Sequence, residues 1–207
     1  MALNRFRSLI DTLEYGAVRL AGKICGISLI IRYLRNPNPS LTVRMLRAFG
    51  ATIGPKSTFK RGVFLDNVYG DSNSAGDFSR LRVGANCYIG EGVYFDLADD
   101  VILEDDAVIS GQVAFVTHAD CNRSAYLAQR FPRQCRPVQV GRGAWIGFRA
   151  TLLVGVSVGP EAVIAAHALV RGPVEARTLN GGIPSKAIRP IEESPDPQLR
   201  TRDTIKE

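Results

Sequence analysis

The sequence predicts a mainly-β fold, a parallel β-helix wound on a hexapeptide period, behind a short N-terminal helical segment. Three observations predict it. Val140, Ile146, Leu152, Val158, Ile164 and Val170 are apolar and recur at every sixth residue. Small or slender residues follow four positions later, at Ala144, Ala150, Val156, Ala162 and Ala168. Glycine comes directly after the apolar position at Gly141, Gly147 and Gly159. A period of six fits neither the two-residue alternation of an antiparallel sandwich strand nor the 3.6-residue turn of a helix. One strand and one turn per hexapeptide, with three hexapeptides closing a triangular coil of about 18 residues, satisfy it. Each apolar residue then points into the coil, and stacked coils bury a continuous column that no single coil could bury alone.

The first element is helical. Phe6, Ile10, Leu13, Ala17, Leu20, Ile24, Ile27, Ile31 and Leu34 step by threes and fours onto one face. Gly16, Gly22 and Gly26 weaken that helix, each by roughly 1 kcal/mol against Ala. Asn36-Pro37-Asn38-Pro39 ends it. Ser40 is a plausible N-cap for a second short helix through Phe49, and Gly50 stops that one. From Ile53 the ladder begins, first as Ile53, Phe59 and Leu65, then as Val83, Ile89 and Phe95. After a two-residue slip it continues as Leu103, Ile109 and Phe115. Two aperiodic stretches leave it. Tyr69 to Arg80 is rich in Gly, Ser, Asp and Asn, and Ala119 to Pro137 carries Arg123, Arg130, Arg133 and Arg136. A long loop leaving a regular solenoid points to function. The organisation is therefore a helical segment over 1–49, a solenoid over 50–190 with the 119–137 excursion, and a polar tail over 191–207.

Charge is unevenly placed. The 207 residues carry a formal net charge of +6. Residues 1–49 hold eight basic and two acidic side chains, and the remainder is balanced at 18 of each. A neutral body argues against a nucleic-acid groove spread over the fold. It leaves an acidic polymer or a membrane surface as the partner of the appendage. The longest uncharged apolar run, Ile24 to Ile31, is too short to cross a bilayer. Cys25, Cys87, Cys121 and Cys135 lack CxxC spacing and only two histidines accompany them, which argues against structural zinc. With no signal-peptide pattern recognised, the expected compartment is the cytoplasm, with the inner face of the membrane as the place for residues 1–49. Packing of those helices on the first coil is the alternative.

The run VGRGAWIGFRATLLVGVSVGPEAVIAAHALVRGPV, followed by LNGGIPSKAIR, closely resembles the C-terminal half of hexapeptide-repeat acyltransferases. These are left-handed β-helix enzymes that include galactoside, maltose and polysaccharide O-acetyltransferases. The resemblance covers about residues 50–190. It implies a left-handed coil, acetyl-CoA as acyl donor, no metal, a homotrimer with sites between subunits, and a sugar or glycan acceptor. The polysaccharide and lipopolysaccharide O-acetylation branch matches best. The γ-class carbonic anhydrases share the solenoid but need three zinc-binding histidines, so two histidines in the whole chain exclude them.

His118, in Phe-Val-Thr-His-Ala-Asp where a coil gives way to the long loop, matches the family's catalytic base. An imidazole titrating near neutrality suits deprotonation of an acceptor hydroxyl. The resemblance places an oxyanion donor at a backbone N–H near Gly147 or Phe148. Asp96, in a slot otherwise held by Gly, could orient His118, bind the acceptor, or cap its own turn. Asp120 could grip a sugar hydroxyl, while Asp99 and Asp100 read as turn residues. Trp145, the sole tryptophan, is expected to wall the CoA or acceptor cleft, with surface packing as the alternative. Ala166 matches a small residue under the pantetheine arm, and His167 beside it reads as structural. Arg171, Lys186 and Arg189 are placed by the resemblance near the CoA phosphates, where charge-assisted contacts hold anions. An amino-sugar or xenobiotic acceptor, or a non-catalytic solenoid scaffold, are the rival functions.

Overall fold

The computed structural model describes residues 2–121 and 124–192, with side chains from Phe6 onward. Arg123, the Arg5 side chain and residues 193–207 of the polar tail lie outside the described residues.

Helix α1 spans Ala2–Cys25, α2 Ile27–Leu34 and α3 Thr42–Ala48. The single continuous face expected from Phe6 to Leu34 is divided at Gly26. That residue takes φ 89, a conformation open to glycine and strained for side chains, and it redirects the chain. Ile30 and Leu34 of α2 and Met45 and Leu46 of α3 are fully buried against the solenoid. Leu34 O accepts the Val63 N–H at 3.1 Å. The α3 N-cap is Leu41, with no side-chain cap. Ser40 instead donates its hydroxyl to Asp11 Oδ2 at 2.7 Å.

The solenoid follows as five coils. The first is β1 (Thr52–Ile53), β2 (Thr58–Phe59) and β3 (Phe64–Asp66), and the second is β4 (Leu81–Val83), β5 (Tyr88–Ile89) and β6 (Tyr94–Asp96). The third is β7 (Val101–Leu103), β8 (Val108–Ile109) and β9 (Ala114–Phe115). An excursion then carries β10 (His118–Ala119), the short helix α4 (Ala125–Ala128) and β11 (Gln134–Cys135). The fourth coil is β12 (Val138–Val140), β13 (Trp145–Ile146) and β14 (Thr151–Leu152), and the fifth is β15 (Ser157–Val158), β16 (Val163–Ile164) and β17 (Leu169–Val170). Strands β18 (Thr178–Gly182) and β19 (Ser185–Pro190) form an antiparallel hairpin that caps the far end.

Corresponding strands stack into three parallel sheets, β1-β4-β7-β12-β15, β2-β5-β8-β13-β16 and β3-β6-β9-β14-β17, and the hairpin extends the second. These are the three faces of a left-handed β-helical prism. The ladder residues pair in register, as in Phe59↔Ile89↔Ile109 and Leu65↔Phe95↔Phe115, and all are buried. Phe95 and Phe115 stack at 5.2 Å. Coil 3 pairs directly with coil 4, so the long excursion leaves and rejoins without disturbing register. The two-residue slip after Phe95 is taken up at the following corner, where Leu97 and Ala98 are buried. Gly147 shows why glycine follows the inward residue. A Cβ there would sit 2.6 Å from both Ala166 N and Ile164 O.

Candidate active site

The prism edge between the third and first sheets gathers one cluster from three coils. Asp96 ends β6, and its carboxylate is fully buried. Its Oδ2 accepts the backbone N–H of Thr117 at 2.8 Å and of His118 at 3.0 Å. The same oxygen accepts His118 Nδ1–H at 2.6 Å. Asp96 Oδ1 accepts the Ala98 N–H at 3.1 Å and the Asn67 side-chain amide at 2.8 Å. A carboxylate placed among so many donors is held ionised. Burial pushes the Asp96 carboxyl up, but hydrogen bonds from His118, Asn67 and the Ala98 amide outweigh it and hold it below the ordinary 3.8.

A carboxylate can only accept, so His118 Nδ1 carries a proton, and in the neutral ring Nε2 is then the nitrogen with the lone pair. The ring is 26% exposed and stands where β10 opens the excursion. Asp96 therefore fits two of the alternatives open for it, orienting His118 through Nδ1 and capping its own turn through the Ala98 N–H, and its filled, buried oxygens leave little for an acceptor. Asn67 was not singled out by sequence. It follows Asp66, takes the left-handed φ of 53 that asparagine tolerates, and so turns its amide toward Asp96 and, at 3.4 Å, the His118 ring.

The excursion closes on itself by antiparallel pairing of His118 with Cys135 and Ala119 with Gln134. Arg133 then pairs with Asp120 and, at 2.7 Å, with Asp71. One guanidinium thus fastens the 119–134 loop to the 69–80 excursion beside His118. Asp120 lies next to the cluster as expected, but its Oδ2 is committed to Arg133. Asp99 accepts the Asp100 N–H at 2.7 Å, and Asp100 pairs with Arg82 at 2.9 Å, as turn residues do. Beside Asn67 a cavity of about 270 Å³ is walled by Leu65, Asp66 and Tyr69 and by Ile31 and Arg35 of α2.

Trp145, Phe148 and Ala166 form a second group along the second sheet and its corner with the third, away from the His118 edge. Trp145 projects from the outer face of the second sheet, 51% exposed, and donates Nε1–H to Ser110 Oγ at 3.0 Å. Phe148 packs at the next corner, edge-on to His167 at 6.0 Å. Ala166 lies exposed one coil further on, and His167 takes the left-handed turn position at φ 59. The Gly147 N–H is spent on Ile164 O at 2.8 Å, which removes it as an oxyanion donor. Among the described residues the Phe148 N–H has no partner. Arg171 and Lys186 line one cavity of about 370 Å³ between the fifth coil and the hairpin. Arg189, further along β19, bonds Pro190 O at 3.2 Å and lies outside that cavity.

Coils of this kind define a hexapeptide-repeat β-helix. Residues 137–167 match the family "Hexapeptide repeat of succinyl-transferase", and the fold is that of hexapeptide-repeat acetyltransferases. A galactoside acetyltransferase in complex with coenzyme A superposes with TM-score 0.66 over 86% of this chain and 82% of that one, at 20% identity. A maltose O-acetyltransferase from Clostridium difficile gives 0.63 over 86% and 89%, also at 20%. In sequence, a chloramphenicol acetyltransferase from Escherichia coli is 34% identical over 113 residues, 55% of this chain and 52% of that protein. The chain spans about half the length of that curated relative.

Proposed function

We propose that the protein is an acetyl-CoA-dependent O-acetyltransferase acting on a hydroxyl of a sugar in a glycan or glycan precursor, in the cytoplasm and as a step of polysaccharide biosynthesis. The observation that carries this reading is the His118–Asp96 bond, which leaves Nε2 as a base at the mouth of a loop. His118 Nε2 takes the acceptor hydroxyl proton as the oxygen attacks the thioester carbonyl. The carbonyl oxygen becomes an oxyanion, for which the Phe148 N–H is the available donor. Collapse breaks the carbon–sulfur bond, and the imidazolium returns its proton to the departing thiolate. Products are an acetyl ester and the free thiol of CoA. Asp96 stabilises the transient imidazolium and fixes the ring.

His118 stands at one prism edge, and Trp145 stands on the sheet facing away from it. One chain alone cannot close both groups around one substrate pair. A homotrimer, in which the Trp145–Phe148 face of one subunit meets the His118 edge of its neighbour, supplies the missing half. Trp145, Ala166 and the Arg171–Lys186 cavity would then take the CoA arm and its phosphates, with Arg189 at the margin. The acceptor would enter past Asp120 and the cavity beside Asn67. The sugar-acetyltransferase neighbours support this acceptor class, while the chloramphenicol acetyltransferase relative favours a xenobiotic alcohol as the second reading.

A panel of mono- and oligosaccharides, amino sugars and chloramphenicol, incubated with acetyl-CoA and analysed by mass spectrometry, separates these readings. A saccharide gaining one acetyl ester is expected. Ester formation on chloramphenicol alone would favour the second reading, and CoA-thiol release with none of them would return the solenoid to a scaffold role.

A further inference from the structure

Helix α1 has two faces, and the fold uses only one. Asp11, Glu14, Tyr15, Val18 and Gly22 turn toward α2 and α3. Both acids of the helix are consumed there. Glu14 accepts from Tyr33 Oη at 2.7 Å and from Asn38 at 3.0 Å. Asp11 accepts from Asn38 at 2.9 Å and from Ser40 at 2.7 Å. The opposite face carries Phe6, Leu9, Ile10, Leu13, Leu20 and Ile24, all exposed, with Leu13 at 64% and Ile24 at 74%. Arg7, Arg19 and Lys23 are exposed alongside. The outward surface of α1 is therefore an apolar stripe bordered by cations, with its carboxylates facing the protein.

We propose that α1 lies flat on an anionic lipid surface and holds the solenoid there. An amphipathic helix with a basic polar border and low net hydrophobicity sits in the headgroup region, its apolar face buried among the acyl chains. Each cation near such a surface adds electrostatic attraction that salt screens. No helix of the described residues is long and apolar enough to cross a membrane, so the contact is peripheral. Charge chooses this occupant over a second copy of α1. Two copies would bring Arg7, Arg19 and Lys23 against one another, whereas an anionic leaflet pairs with them. The apolar faces of α2 and α3 are not available for this contact, because Ile30, Leu34, Met45 and Leu46 are buried against the first coil.

Flotation with phosphatidylcholine vesicles containing about one-third phosphatidylglycerol tests the proposal on the full chain. The wild type is expected to float with these vesicles and to be released by high salt. It should float poorly with phosphatidylcholine alone. Leu13→Glu/Leu20→Glu and Arg19→Glu/Lys23→Glu should each weaken partition by roughly tenfold or more. Circular dichroism and light scattering check that fold and oligomeric state are kept. Flotation of the variants equal to wild type overturns the proposal. So does dissociation of the oligomer by Leu13→Glu/Leu20→Glu with vesicle binding intact, which would assign the stripe to a subunit contact. None of these readouts depends on acetyl transfer, so membrane docking and catalysis stand or fall separately.

Discussion

Asp96 accepts five hydrogen bonds in a place closed to water, and most of the site's rigidity follows from them. Asp96→Asn keeps the shape but replaces one acceptor by a donor facing His118 Nδ1–H. We expect kcat to fall at least about tenfold, the kcat–pH profile to change, and the KM for acetyl-CoA to hold within about twofold. A purely structural carboxylate would leave the pH profile alone. Linkage gives a second test. The folded carboxyl titrates below its ordinary value, so its ionisation stabilises the fold above that ordinary value. That contribution is lost as pH falls through the lower, folded value. Acid unfolding of Asp96→Asn should therefore lack a component seen in wild type below about pH 4. Asp96 was legible in sequence as an acid in a glycine slot. Asn67 was not, because its role depends on coil 1 stacking under coil 2, and no local pattern marks it.

At the scale of elements, the six-residue ladder names one inward residue in each coil strand, including the degenerate first coil and the slip before Leu103, and misses the second inward residue of the longer strands, Leu81, Val101 and Val138. Its regularity comes from geometry. The same inward slot recurs at each face, and where a glycine follows it, as at Gly147, close backbone approach calls for one. Gly147→Ala, whose Cβ would meet Ala166 N and Ile164 O, should cost roughly 1–3 kcal/mol, read as a lowered melting temperature. Helix α1 is legible as amphipathic, but the spacing leaves open whether its apolar face turns outward or packs on the first coil. The outward turn rests on Gly26 redirecting the chain and on Asn38 and Ser40 engaging Asp11 and Glu14 across 24 to 29 residues. The loop beside His118 is held by Arg133 against Asp71 and Asp120. Arg133→Ala should free it. We expect faster proteolysis within 119–134 and a raised KM for the acceptor, with the melting temperature of the solenoid nearly unchanged. Unaltered proteolysis would show that other contacts hold the loop.

For the molecule as a whole, the separation of its two residue groups matters most. Sequence spacing names the inward residues, but it carries neither the hand of the coil nor which faces meet between copies. Those depend on long-range stacking and on surfaces outside one chain. Trp145 is the only tryptophan and sits half-exposed on the side proposed for the donor. Titration with CoA should therefore quench its fluorescence, in wild type and in His118→Ala alike. Mixed oligomers of His118→Ala and Trp145→Ala subunits should regain part of the activity that each variant lacks alone. No regain would place both groups in one subunit's site, against the prism geometry. The most direct test of acetyl transfer by His118 is CoA-thiol release at saturating acetyl-CoA and acceptor, comparing wild type with folded His118→Ala. A fall in kcat of about 10²- to 10⁴-fold is expected, and turnover equal to wild type would contradict His118 as the base.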